Sequence, residues 1–415
     1  MIPDRIQKKI CLVSPGHVAS NPRLVKEANA LHQAGYQVRV VAGDYMAAIR
    51  PLDQALLSQV DWCCVQVHYG KGIEYLRRRL FQAVARRIVA QIGSFHWSLA
   101  TWAHHPISYR LAQVAAAEPA DLYIAHCLAA LPAVAIAARK HNARFGFDAE
   151  DFHIGELADT PENQSEIHVR GQLERSLLIH CHHLTAAAPG IASAYAEHYG
   201  VHMQPILNVF PRSEALSLPY KQQHQATKEP SLYWFSQTIG TGRGIEAVIQ
   251  ALGQMDCQVH LYLRGIPAIG YLEQLTQLAK KVGVRDRLHF LPPAPPGAMI
   301  QLAAEHDVGL SLELRQPLNR SLCLTNKIFT YLLAGLPIVM SRTPAQVEFS
   351  RSLGDAAVLV DIDDPQSIAM TLDDFFANPA RIEHARAKAQ ELAWDRYNWE
   401  IEQKPFLESI EYALG

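Results

Sequence analysis

The feature that most constrains this chain is the recurrence of one unit: a short apolar run, a polar loop, then an amphipathic stretch at helical spacing. Residues 9–13 (KICLV) read as a buried strand, the SPGHVAS loop follows, and a helix opens at Asn21-Pro22. Asn is a good N-cap, and Pro suits the first helical position, where its missing N–H costs no hydrogen bond. Leu24, Ala28 and Leu31 share one helical face, Gly35 is a natural stop, and residues 37–42 (QVRVVA) form the next strand. A strand–helix–strand crossover of this kind is right-handed and predicts a parallel sheet. Strands recur at 121–126, 144–149 and 182–188, with helices near 131–140 and 189–199. A polar, proline-bearing stretch over 205–230 reads as a linker. A second series then places strands at 231–237, 259–265, 288–292, 308–313, 337–341 and 356–361.

The prediction is an α/β chain of two doubly wound halves, 1–205 and 206–390, with a helical tail over 391–415. In such folds ligands sit at the carboxyl ends of the strands, which puts the expected site in the cleft between the halves. Trp394, Tyr397 and Trp399 either anchor the tail across the domain junction or belong to an ordinary capping helix. The 38 basic and 40 acidic residues give no support to a nucleic-acid binder. Seven cysteines in 415 residues are too sparse for a disulfide scaffold, so reduced thiols and a cytoplasmic location are expected. The opening apolar run continues as a strand rather than as a signal peptide, and no stretch reaches about 18 uninterrupted apolar residues, the length a membrane span needs.

Three strand-to-helix loops carry possible chemistry. In LTNKIFTYLLAGLPIVMS (324–341), Thr325 is placed to cap a helix opening at Asn326, with Lys327 in its first turn. A lysine there is electrostatically misplaced unless an anion offsets it. The alternative is a solvated lysine on a surface helix. In SQTIGTGRGIEAVIQAL (236–252), Gly240, Gly242 and Gly244 bend the backbone tightly around Arg243, just ahead of a helix. The spacing matches neither a dinucleotide fingerprint nor a Walker loop. In SPGHVASNPR, Gly16 permits close approach, and Ser20, Asn21 and Arg23 offer hydrogen-bond donors, although helix capping alone explains Asn21 and Pro22.

His126 follows one strand, and Glu150, Asp151 and His153 follow another, which makes them candidates for acid–base or electrostatic work against the reading of plain loop residues. Asp361-Ile362-Asp363-Asp364 looks like a metal-binding element, but helix capping accounts for it better. His180-Cys181-His182-His183 alternates in side-chain direction and is not assigned a metal. The stretch 75–92 interleaves Leu76, Leu80, Phe81, Val84, Ile88 and Ile92 with Arg77, Arg78, Arg79, Arg86 and Arg87. It reads either as a helix lying on an anionic membrane surface or as a core-packed helix with a solvated basic face.

Together, SNPRLVKEANALHQAGYQVRVVAG, HHLTAAAPGIASAYAEHYG with PILNVFP, YWFSQTIGTGRGIEAVIQAL and TNKIFTYLLAGLPIVMS resemble glycosyltransferase family 4, the retaining nucleotide-sugar glycosyltransferases of GT-B fold. The likeness runs through nearly the whole chain. It implies two facing Rossmann-like domains, an acceptor side in the first and a donor side in the second. It also implies sugar transfer with retention in glycan, polysaccharide or glycolipid synthesis, to a glycan, lipid-linked or small-molecule acceptor. The nucleotide-sugar serves as co-substrate, and neither cofactor nor metal is expected. By the same resemblance Arg243 and Lys327 hold the donor diphosphate, His126 lies near the reacting sugar, and Gly16 matches the loop that approaches phosphates or acceptor.

The family's Glu-x7-Glu pair falls here on Leu322 and Thr330, and a further basic position falls on Gln237. These differences bear on the ribose and donor-sugar contacts, with Glu313 as a substitute acid. A nucleotide-sugar epimerase and a non-catalytic nucleotide- or glycan-binding protein are the alternatives.

Overall fold

The computed structural model describes residues 7–70, 72–93, 95–215 and 229–415. The part of the expected linker over 216–228 lies outside the described residues. The chain divides into two compact units: Met1–Ile206 with Gln403–Gly415, and Leu207–Glu402.

Among the described residues the first unit has seven strands: β1 Lys9–Ser14, β2 Gln37–Asp44, β3 Cys63–His68, β4 Leu122–His126, β5 Arg144–Ala149, β6 His183–Ala186 and β7 Gln204–Pro205. They are all parallel, in the order β3-β2-β1-β4-β5-β6-β7. The order reverses between β1 and β4, and the loops leaving those two strands open a crevice at the carboxyl edge. β4 is buried along its whole length, as expected of a parallel strand covered on both faces. The Asn21-Pro22 start is observed: the Asn21 side chain accepts from the Leu24 amide at 3.0 Å, and the helix runs Pro22–Gln33.

The second unit has β8 Ser231–Ile239, β9 His260–Pro267, β10 Leu288–Leu291, β11 Val308–Ser311, β12 Ile338–Ser341 and β13 Ala357–Val360. The order is β10-β9-β8-β11-β12-β13, again parallel, with the reversal between β8 and β11. Its core packs Trp234, Leu261, Leu263 and Leu310 from the sheet against Val248, Leu252, Leu275 and Phe375 from helices.

One detail differs from expectation, and two bear on readings left open by the sequence. The stretch 391–415 is not one helix. A helix over Pro379–Asp395 ends, and another over Trp399–Leu414 begins. Buried Asn398 separates them: its amide donates to the Ala393 and Trp394 carbonyls, and its oxygen accepts from the Ile401 amide. Trp394 and Tyr397 find partners in their own unit, under the Arg212 guanidinium and on the Ser352 hydroxyl. Finally, the core-packed reading of 75–92 fails. The helix runs Ile73–Val89, and its large apolar side chains are exposed.

Candidate functional site

At the reversal point of the second unit, β8 ends and the Gly240–Gly244 loop leads into a helix over Ile245–Leu252. Gly242 and Gly244 have φ of 70° and 67°. A Cβ at Gly244 would also lie 3.0 Å from that of Leu312, so the loop's shape requires glycine there. The loop presents Arg243, whose side chain is 31% exposed. Beyond β11, the backbone of Glu313 is pinned by the Ser341 hydroxyl, which accepts from its amide and donates to its carbonyl. The Glu313 carboxylate is almost fully buried. Its Oε2 lies 2.9 Å from Arg320 Nη1 and 3.9 Å from Arg243 Nη1, and its Oε1 lies 3.6 Å from Lys327 Nζ.

Three cations, one from a loop and two from short helices, therefore converge on one carboxylate, and three positive charges against one negative leave two positive. Their crowding shows in their proton affinities. Burial lowers the pKa of Lys327 below the usual 10.5; Glu313 raises it in part, and Arg243 lowers it further. Burial and the nearby Arg320 lower that of Arg243. Lys327 Nζ also lies 5.7 Å from the centre of the Trp234 ring, a cation–π contact that keeps the ammonium at the head of its helix. That helix runs Asn326–Leu333. Thr325 stands at the cap position but makes no cap bond; its hydroxyl is 3.3 Å from that of Ser311 instead.

Arg320, on a short helix over Leu318–Leu322, was not anticipated. It belongs to no periodic pattern, and only the folded loop carries it to Glu313. Thr330 does not join the cluster. It is buried, and its hydroxyl donates to the Asn326 carbonyl one turn back at 3.0 Å, so it is not presented to a ligand. Asn326 is exposed at the helix start.

The crevice of the first unit is built on a buried charge network. Arg23, expected to donate to a ligand, is 1% exposed. Its Nε and Nη2 donate to Asp148 at 2.6 and 2.7 Å, its Nη1 donates to the Ile206 carbonyl at 2.6 Å, and Glu27 lies 3.3 Å away. His126 is 0% exposed, between Glu27 at 3.3 Å, Asp148 at 3.4 Å and Glu150 at 3.5 Å. Burial alone would lower its pKa, but the three carboxylates outweigh that and hold it well above 6.5. Burial likewise pushes Asp148 up, and Arg23 with His126 overcomes it and holds the carboxyl well below its usual range. His126 is thus held in the interior among three carboxylates and is not itself exposed.

Glu27, His126 and Asp148 bring ligand-type atoms within 4.8 Å of one another. The donor set does not suit a metal ion, because the Arg23 guanidinium already bonds Asp148 and borders Glu27.

Glu150 is the part of the network that reaches the surface. Its side chain is 23% exposed, and it accepts from Asn21 Nδ2 at 2.6 Å, so Asn21 is engaged inside the unit as well. Asp151 is half-buried, and its carbonyl accepts from the Tyr195 hydroxyl. His153 is buried against Glu156, and Ser20 is exposed.

Gly16 has room for a Cβ, with only Ser14 Oγ nearby at 3.8 Å. The glycine this crevice does need is Gly43, where a Cβ would fall 1.9 Å from the Pro15 carbonyl oxygen. The Pro15–Ser20 loop is clamped by buried His17, whose Nδ1 bonds Asp53 at 2.6 Å while Nε2 accepts from the Tyr45 and Met46 amides. Asp364 caps the helix over Pro365–Phe376, as expected.

These two doubly wound units match solved structures along the whole chain. The crystal structure of Anabaena HepE in complex with UDP and glucose superposes with a TM-score of 0.71 at 18% identity, covering 98% of this chain and 100% of that one. Sucrose-phosphate synthase from Thermosynechococcus elongatus gives 0.72 at 14%, covering 99% and 100%. WaaG, a glycosyltransferase involved in lipopolysaccharide biosynthesis, gives 0.62 at 14%, covering 98% and 100%. The fold is GT-B. No protein-family model matches the chain, and no curated protein sequence does. Within the GT-B frame the three cations around Glu313 stand at the carboxyl edge of the second Rossmann-like unit, and the Arg23 network stands at that of the first.

Proposed function

We propose that this chain is a retaining glycosyltransferase that moves a sugar from a nucleotide-sugar donor to a hydroxyl acceptor. The observation that carries the reading is the surplus of two positive charges where Arg243, Arg320 and Lys327 surround Glu313. A nucleoside diphosphate brings two or more negative charges to a single small site and would offset that surplus. HepE, of the same fold, was solved in complex with UDP-glucose. In the reaction the bond from the anomeric carbon to the diphosphate breaks, and the leaving oxygen gains charge. Fixed cations and helix N-termini would stabilise that charge without solvent reorganisation. On this reading Glu313 keeps the cations in register before the donor arrives, and no metal is required.

In the first unit, Glu150 is the carboxylate best placed to accept from the acceptor hydroxyl, with Asn21 and His126 holding it in position. The proposal includes a cytoplasmic location, peripheral contact with a membrane, and a glycan, lipid-linked or small-molecule acceptor.

One observation favours a second reading, a non-catalytic nucleotide binder: Leu322 and Thr330 replace a pair of acids, and the Thr330 hydroxyl is committed to its own helix. A thermal-shift screen of UDP-, GDP-, ADP- and dTDP-sugars, followed by assay of released nucleotide, tests both. A donor at a hundred times its Kd adds about 2.7 kcal/mol, a rise of several degrees. No shift with any donor sinks the transferase and the binder alike. A shift without turnover on any acceptor leaves the binder.

A further inference from the structure

The helix over Ile73–Val89 is amphipathic with its faces reversed. It is fastened to the first unit by small and polar side chains: Gln82, Ala85 and Val89 are its buried residues. Gln82 Nε2 donates to the His104 carbonyl at 3.0 Å, and Arg86 Nε donates to that of Ala103 at 2.9 Å, while Arg86 Nη2 pairs with Glu166 at 3.1 Å. The apolar side points outward. Ile73, Leu76, Leu80, Phe81, Val84 and Ile88 are all exposed, Leu76 and Leu80 by about two thirds. At about 100° per residue these six fall on one side of the helix, and Arg77 and Arg87 fall among them.

A helix that faced water would carry its charges outward and its leucines inward. Here the concentration of apolar surface has to be covered by something.

We propose that this face lies on an anionic lipid surface, the six apolar side chains entering the acyl boundary while Arg77 and Arg87 meet lipid phosphates. Charge supports that occupant. Over residues 73–92 there are five arginines and one acid, Glu74, which pairs with Arg78 and approaches Arg110. Among the described residues Arg77 and Arg87 have no acidic partner. An arginine within an apolar face can bury its stem and lift its head to the phosphate level. A second copy of the same face would set Arg77 and Arg87 against their own like, which argues against self-association. The helix has 17 residues, about 25 Å at 1.5 Å per residue. Among the described residues no helix is long and apolar enough to cross a membrane, so the contact is one of lying on the surface.

The inference specifies the membrane contact of the proposed function and needs no donor or acceptor for its test, so the two fail separately. The experiment is co-sedimentation of the full chain with phosphatidylglycerol–phosphatidylcholine vesicles and with phosphatidylcholine alone. Wild type should partition to the anionic vesicles and be released in part by high salt. Arg77→Ser with Arg87→Ser should weaken partitioning roughly thirtyfold, since each basic residue near such a surface contributes about a factor of five. Leu76→Ser with Leu80→Ser and Val84→Ser should weaken it about a hundredfold or more, with far-ultraviolet circular dichroism unchanged because these positions are exposed. Wild type left in solution with anionic vesicles overturns the proposal, as does an apolar variant that binds like wild type. A dimer in sedimentation velocity that the apolar variant dissolves would assign the face to a second copy instead.

Discussion

Replacing Arg23 with methionine keeps much of the side chain's bulk and removes the guanidinium that neutralises the interior of the first unit. The structure sets the size of the effect. Asp148 loses two hydrogen bonds of 2.6 and 2.7 Å and keeps the Thr185 hydroxyl at 2.6 Å, and the Ile206 carbonyl loses its 2.6 Å donor. Removing one partner of a buried ion pair costs about 3–5 kcal/mol. An orphaned buried carbonyl adds about 1–3 kcal/mol, not fully additively. A loss of roughly 4–6 kcal/mol is expected. For a unit of about 200 residues that corresponds to a drop of roughly 10–20 °C in its melting transition. Scanning calorimetry of the full chain reads it, and the partner variant Asp148→Asn closes a double-mutant cycle. The double variant should lose far less than the sum, because each single change strands the other partner's charge and the double change strands neither. A single-variant loss under about 1 kcal/mol, or strict additivity, would refute the assignment of Arg23 and Asp148 as one interior pair.

Other consequences concern pH and a silent position. Lys327's pKa is depressed mainly by burial, and a bound diphosphate should pull it back up, so binding takes up a proton once the pH exceeds the depressed value. Affinity should therefore fall with rising pH before the ordinary lysine range near 10.5, and Lys327→Arg should remove that dependence in calorimetric titrations. His126 has a folded pKa well above 6.5, so its stabilising contribution is complete below the unfolded value and is lost as pH rises through the folded one. Urea unfolding should show the first unit weakening on the alkaline side, and His126→Gln should flatten that slope. Thr330→Val should leave nucleotide affinity within twofold of wild type, because the hydroxyl it deletes bonds only the helix backbone; a tenfold loss would return Thr330 to the site.

Much of the scaffold was legible because it is written locally. The Arg144–Ala149 and Pro189–Tyr199 elements coincide with their predicted spans, since an apolar run and a proline-led helix start depend only on neighbours in sequence. β3 was missed because its residues 63–68 form an edge strand of mixed exposure, CCVQVH, without a continuous apolar run. Arg243 and Lys327 stood out by their place in loops before helices. Arg320 had no such place, and its partner Glu313 lies across a bend that no periodicity reports.

The Arg23–Asp148 pair joins positions 125 residues apart, so spacing could not reveal that an apparent ligand donor is an interior cation. For the helix over Ile73–Val89 the periodicity was readable, but not the side that faces inward. That choice was made by Gln82 and Arg86 finding the Ala103 and His104 carbonyls.

The central claim is that Arg243 and Lys327 share one anion, and calorimetric titration of UDP and GDP into wild type, Lys327→Ala, Arg243→Ala and the double variant tests it most directly. Hydrogen bonds to charged groups contribute about 1.5–3 kcal/mol each, so each single change should weaken binding of the cognate nucleotide roughly tenfold or more. The double variant should lose less than the two combined, because both cations hold the same diphosphate. Wild-type affinity in both single variants would contradict the account.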